Sequence, residues 1–152
     1  MPIRHEFRHL YRTKAWKRAR ARVLRQAQNR CEACGKPNRA VVFTYSWKTR
    51  DLRFAGGWRY HMVWMKLNSR VWRDERGLFF PLNSWPSRGL PRRVKVQIGV
   101  AHADNDPTNM DDSNLRAWCQ WHHLHFDQGH HRESRCVRKD RTRELLAWEE
   151  CA

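Results

Sequence analysis

Two residue pairs with the same internal spacing carry the clearest chemistry in this chain. Cys31-Glu-Ala-Cys34 is followed by Gly35, and far downstream stands Cys119-Gln-Trp-His122. A gap of two residues lets both donors of a pair reach one ion, and a small residue after the second donor allows the turn. Together Cys31, Cys34, Cys119 and His122 satisfy the four-coordinate rule for structural zinc. The alternatives are two unrelated pairs of buried thiols, or a redox pair at 31 and 34. Nothing around that pair resembles a thioredoxin-type strand and helix, which disfavours redox use. Five cysteines are an odd number, and the opening MPIRHEFRHLYR lacks the apolar run of a secretory signal, so no disulfide framework is expected. Cys136 and Cys151 then read as free thiols of a reducing, cytoplasmic compartment.

The second cluster is GVAHADNDPTNMDDSNLRAWCQWHHLHFDQG, from Gly99 to Gly129. Residues 100–128 carry one basic side chain, Arg116, against Asp104, Asp106, Asp111, Asp112 and Asp127, a net charge of −4. The whole chain, with 31 Lys and Arg against 15 Asp and Glu, stands at +16. An acidic island inside a protein suited to polyanions would repel phosphate unless a cation sat in it. His102, at the end of an apolar alternating stretch, is the suitable general base, because imidazole titrates near neutrality. His123 and Asp127 are four apart, so on a helix they share a face and can bind one ion. His122 lies about 100° around that helix from His123, which lets adjacent histidines serve different metals. Nitrogen and oxygen donors fit Mg²⁺, Mn²⁺, Ni²⁺ or Zn²⁺ equally well. His125 points away from the His123 and Asp127 face, toward solvent or nucleic acid.

The order of these pieces, a strand ending in Ala101-His102, a polar loop, Asn114-Leu115, then Cys119 through His123 opening a helix, resembles the HNH endonuclease family. The knuckle at Cys31 and Cys34 supports it. The resemblance implies a ββα-metal fold in which the first His is the general base, the middle Asn holds the loop, and the last His binds a catalytic divalent metal. Carried over, these are His102, Asn114 and His123. It covers residues 10–35 and 98–128, with weaker similarity in the basic tail, and leaves 36–97 as an insertion. Its size and composition are similar to those of small phage or prophage nucleases, implying double-stranded DNA as partner and possible contact with other phage proteins. Two positions depart from the family. Ala101 stands where a metal-binding Asp or His is common, and Asp104 or Asp106 would replace that ligand, or the ion would be held by His123, Asp127, water and substrate phosphate. His122 stands where most relatives have a second Cys. The rival function is a zinc-stabilised nucleic-acid-binding protein without catalysis, acting as regulator, inhibitor or assembly factor; RNA is the rival substrate.

These groups need elements to hold them. At 152 residues the chain has the length of one domain. No run of about 18 apolar residues occurs, so no membrane span is expected. Trp16, Ala19, Val23, Leu24 and Ala27 recur at helical spacing between Thr13 and Asn29, with Thr13 as N-cap, and predict a basic amphipathic helix. From Val41 to Gly99 the pieces VVFTYSW, WRYHMVWM, LFFPL and VKVQIGV read as strands, the last running on to His102. Ser113 or Asn114 is placed to cap a short helix beginning near Leu115, and a basic helix is expected over 133–150. The fold class is therefore α+β: a small zinc-stapled HNH core with a β-rich insertion and flanking basic helices. Residues 1–30 carry a net +9 and residues 36–99 a net +11. The expected phosphate contacts are Arg50 and Arg53 in WKTRDLRF, Arg92, Arg93 and Lys95 in RGLPRRVK, and Arg135, Arg138, Lys139 and Arg141 in the tail. Trp47, Trp58, Trp64, Trp72 and Trp85 read mainly as the core of the inserted sheet, base stacking being the alternative.

Overall fold

Thr13 is extended, and its Oγ1 accepts a hydrogen bond from the Trp16 N–H at 3.1 Å, closing the first turn of helix α1, Lys14–Gln26. The helix stops three residues before the sequence pattern suggests, because Gln28 and Asn29 take left-handed φ values of 50° and 56°. Its apolar stripe, Trp16, Ala19 and Val23, is buried. This is a computed structural model, and it describes residues 5–53, 57–85 and 89–128. The predicted helix over 133–150, Cys136, Cys151 and the cations Arg135, Arg138, Lys139 and Arg141 lie outside the described residues.

Among the described residues the fold is α+β, with two α-helices and two small antiparallel sheets. The first sheet has the order β2-β1-β3, built from β1 (Val41–Arg50), β2 (Trp58–Lys66) and β3 (Arg92–Lys95). The second is a hairpin of β4 (Ile98–His102) and β5 (Leu115–Cys119), with Ile98 opposite Cys119 and His102 opposite Leu115. Helix α2 (Gln120–Phe126) follows β5 directly. Three expectations fail here. Leu115 begins a strand rather than a helix, because Leu115, Ala117 and Cys119 alternate inward with Arg116 and Trp118 between them, a period of two. The stretch from Val94 to His102 is also not one strand. It turns a corner at Val96 and Gln97, where side-chain amides replace the ladder: Asn38 Oδ1 accepts from the Ile98 N–H and Gln120 Oε1 from the Gln97 N–H, each at 3.0 Å. LFFPL forms no strand; Phe79 makes one isolated bridge to Arg73, and Leu82–Ser84 is a 3-10 turn.

One core joins these parts. Trp16, Ala19 and Val23 of α1 meet Ile98, Val100, Leu115 and Ala117 of the hairpin, together with the three cysteines and with Val42, Met62 and Trp64 of the larger sheet. The insertion meets this core at a neck, where the Arg39 N–H donates to Val96 O and the Val96 N–H to Ala40 O, both at 2.8 Å. It returns at Gly77, whose φ of +81° and position, with a Cβ only 2.8 Å from the Cys34 carbonyl oxygen, admit no side chain. Of the insertion's tryptophans, Trp64 and Trp72 are buried. Trp47 and Trp85 stack on Tyr45 over the outer sheet face, and Trp58 lies under Lys48 and Arg50. No helix among the described residues is long and apolar enough to cross a membrane.

Candidate active site and metal centre

The cysteine knuckle turns tightly after α1. The Gly35 N–H donates to Cys31 O at 2.7 Å and the Cys31 N–H to Lys36 O at 2.9 Å. Glu32 clamps the knuckle to β5, exchanging its N–H with Ala117 O and accepting the Ala117 N–H on Oε2. This brings Cys31 and Cys34 to Cys119, at the end of β5, and His122, in the first turn of α2. The four donor atoms lie within 4.8 Å of one another and could hold a metal ion. Cys119 Sγ and His122 Nδ1 are 3.3 Å apart, Cys31 Sγ and His122 Nδ1 3.6 Å, and Cys34 and Cys119 Sγ 4.0 Å. A tetrahedron with metal to sulfur distances of about 2.3 Å has edges of about 3.8 Å, so the spacing fits one ion. Hydrogen bonds with Cys119 and Cys34 push the Cys31 thiol down, whereas those with Cys119 and Cys31, aided by burial, push Cys34 up. Burial alone would lower His122, but its bonds with Cys119 and Cys31 outweigh this and push it up to about 9. Buried thiols this close cannot all ionise without a cation among them. Three thiolates and a neutral imidazole around a dication would leave a single negative charge; the buried Lys36, with Nζ 3.0 Å from Met62 Sδ, is pushed down by burial, and the charges of Cys119, Cys34 and Cys31 oppose that shift.

Across α2 lies a cleft of about 690 Å³, lined by His102, Asp104, Asp106, His123 and Asp127, with Phe7, Tyr11 and Trp16 as its apolar wall. His102 ends β4, stacked on Trp16 at 5.1 Å and met edge-on by Tyr11 at 6.2 Å. Burial lowers its pKa, only partly opposed by Asp104 and Asp106, and its Nε2 is buried without a hydrogen-bond partner. The imidazole is therefore held neutral near pH 7. His123 Nε2 stands 3.5 Å from Asp127 Oδ2, within ion-pair reach when the ring is protonated but not aligned as a hydrogen bond, and burial, opposed by the Asp127 charge, lowers the His123 pKa. Asp127 is 2% exposed, and that oxygen has no hydrogen-bond partner, an arrangement a cation between the two side chains would satisfy. His123 Nδ1 rests on the backbone of β4 at Gly99, where a Cβ would come to 3.3 Å.

Asn114 organises the loop between β4 and β5. Its Oδ1 accepts the Asp104 N–H at 3.0 Å, and its Nδ2 donates to Asp104 Oδ1 at 2.9 Å and Asn109 O at 3.1 Å. Its own carbonyl accepts the Ala103 N–H. Asp104 is thereby committed to the loop, since Oδ1 also accepts the Asp106 N–H and Oδ2 the Asn109 amide. The Asp106 N–H, ahead of a smaller opposing effect of burial, holds the Asp104 carboxyl low. Arg22 of α1 ties the far side of the loop through a bidentate pair with Asp112.

His125 is not turned to solvent as expected. It stacks on Trp121 at 3.7 Å, hydrogen-bonds the Trp121 carbonyl through Nδ1, and meets Tyr60 edge-on, so it joins α2 to the insertion. Of the expected phosphate contacts, Arg92, Arg93 and Lys95 are exposed on β3 and Arg50 lies over Trp58, whereas Arg53 is paired with Asp51 at 3.0 Å. The sequence reading missed the cleft's aromatic wall. Trp16 signalled only a core position on α1, and Tyr11 sits in a 3-10 turn, Leu10–Arg12, that has no periodicity to reveal it. Comparison with protein-family models, curated proteins and solved structures finds no match for this chain.

Proposed function

We propose that this protein is a metal-dependent DNA endonuclease of the HNH type, stapled by a structural zinc at Cys31, Cys34, Cys119 and His122. The observation that carries the reading is the convergence of His102, His123 and Asp127 on one cleft, under a loop that Asn114 pins. His102 takes the proton of a water whose oxygen forms the new bond to phosphorus, while the bond to the leaving oxygen breaks. A neutral imidazole fixed by Trp16 and Tyr11 suits that step. His123 and Asp127 would hold the divalent ion, which supplies neutralising charge for the phosphorane and the leaving oxygen. Asn114 orients the loop, with Asp104 as its hydrogen-bond partner rather than as a metal ligand. The excess of +16 draws in a polyanion, and the acidic island confines the cation to the cleft. A small phage-type nuclease working in a bacterial cytoplasm fits this composition.

Ala101 favours a second reading, a zinc-stabilised nucleic-acid-binding protein without catalysis. It lines the cleft and is buried, yet offers no ligand where the HNH pattern often has one. Incubating the purified protein with supercoiled plasmid and Mg²⁺, Mn²⁺ or EDTA, beside His102→Ala and His123→Ala, separates the two. Metal-dependent nicking lost in both variants supports the nuclease. DNA binding without nicking in any metal supports the binding protein.

A further inference from the structure

A second cleft, of about 590 Å³, adjoins the candidate active site, and Arg20, Gly99 and His123 form a wall common to both. The first cleft is lined by three carboxylates and the second by none. In their place stand Arg20 on α1, Arg39 at the neck of the insertion and Lys95 at the end of β3. All three are exposed, and none forms an ion pair with a carboxylate among the described residues. The floor beneath them is cross-linked by side-chain amides: Gln120 Nε2 donates to Lys95 O at 2.9 Å, its Oε1 accepts the Gln97 N–H, and Asn38 Oδ1 accepts the Ile98 N–H. Arg39 holds a left-handed φ of +61°, a conformation that glycine or asparagine would take more readily.

We infer that this second cleft is a subsite for a backbone phosphate neighbouring the one that reacts, with Arg20, Arg39 and Lys95 as its cations. The inference rests on the nuclease reading for the identity of the strand, but it concerns binding rather than chemistry. A strand crossing His123 would pass from an acidic cleft that needs a metal to accept phosphate into a basic one that does not. Register along the strand is then set by the roots of the insertion, since Arg39 and Lys95 flank its neck.

Fluorescence anisotropy of a labelled DNA duplex, with zinc-loaded protein and no other divalent ion, tests this. Wild type is compared with Arg39→Gln, Lys95→Gln and the control Arg76→Gln, which lies outside both clefts. Circular dichroism and zinc content verify folding of each variant. Arg39→Gln and Lys95→Gln should each weaken binding about fivefold to tenfold and lower the slope of log affinity against log salt by about 0.9, with Arg76→Gln near wild type. Affinities and slopes equal to wild type, or equally reduced in the control, would overturn the subsite even if plasmid is nicked. Variant-sensitive binding by a wild type that never nicks would support the subsite and overturn the nuclease.

Discussion

His122 and His123 are consecutive in sequence and face different clusters about 100° apart around α2: His122 Nδ1 is 3.3 Å from Cys119 Sγ, while His123 Nε2 is 3.5 Å from Asp127 Oδ2. Only one peptide bond separates the candidate metal centre from the candidate catalytic pair. A helix of seven residues does not hold its own register. His122→Ala should therefore cost both sites, whereas His122→Cys, which restores a donor, should retain them. Metal content by mass spectrometry, with far-ultraviolet circular dichroism, checks this. The expected result is about one zinc per chain in wild type and in His122→Cys, with loss of zinc and fold in His122→Ala.

The pH profile of nicking should have an acid limb below the ordinary histidine value of about 6.5, because burial lowers the His102 pKa and only the neutral ring can act as base. Activity therefore falls as pH drops through the lowered value and persists above it. The same shift makes the folded state bind fewer protons than the unfolded chain just below about 6.5, so stability also falls with acid there. Rates measured from pH 5 to 8, with melting curves alongside, read both. His102→Ala should lose on the order of 10²-fold to 10⁴-fold in rate and flatten this limb.

Asn114→Asp should be more damaging than Asn114→Ala. Alanine removes three side-chain hydrogen bonds, a cost of about 1–3 kcal/mol where partners are left unpaired. Aspartate adds a carboxylate facing Asp104 where Nδ2 now donates, and the like charges repel. Thermal unfolding should rank wild type above Asn114→Ala above Asn114→Asp, and the double variant Asp104→Asn with Asn114→Asp should recover part of the loss.

Gly99→Ala probes the seat of His123. A Cβ at 3.3 Å from Nδ1 forces the ring to shift by a few tenths of an ångström, away from its present spacing to Asp127. The expected outcome is weakened Mn²⁺ binding at the cleft, measured by calorimetry, with zinc content unchanged. Equal Mn²⁺ affinity in the variant would show that the approach of His123 to β4 does not set that site.

The donor spacing in CEAC and CQWH was legible from sequence because two-residue gaps impose local geometry, and His123 with Asp127 was legible because a helix places i and i+4 together. The α1 pattern and its Thr13 cap were legible for the same local reason. What escaped was set at long range. Leu115 to Cys119 alternates, but five residues beside a strong capping sequence read as a helix start. The corner at Val96 depends on Asn38 and Gln120, which are remote in sequence from the strand they interrupt. Arg20, Arg39 and Lys95 meet only because the insertion's two roots close on each other.

The neck at residues 39, 40 and 96 also bears on how such a chain can change. The polypeptide leaves and rejoins the half that carries the candidate metal centre at adjacent points, joined by the Arg39, Ala40 and Val96 hydrogen bonds, so the chain ends that a longer or shorter insert must span stay close together. The closure entropy of a longer loop rises only slowly with its length. The underside of the present insert nonetheless carries Val42, Met62 and Trp64 into the common core. The neck is thus a graft port with a fixed covalent gauge and an apolar seat, and a replacement head must bring a matching hydrophobic foot or leave the cysteine knuckle uncovered.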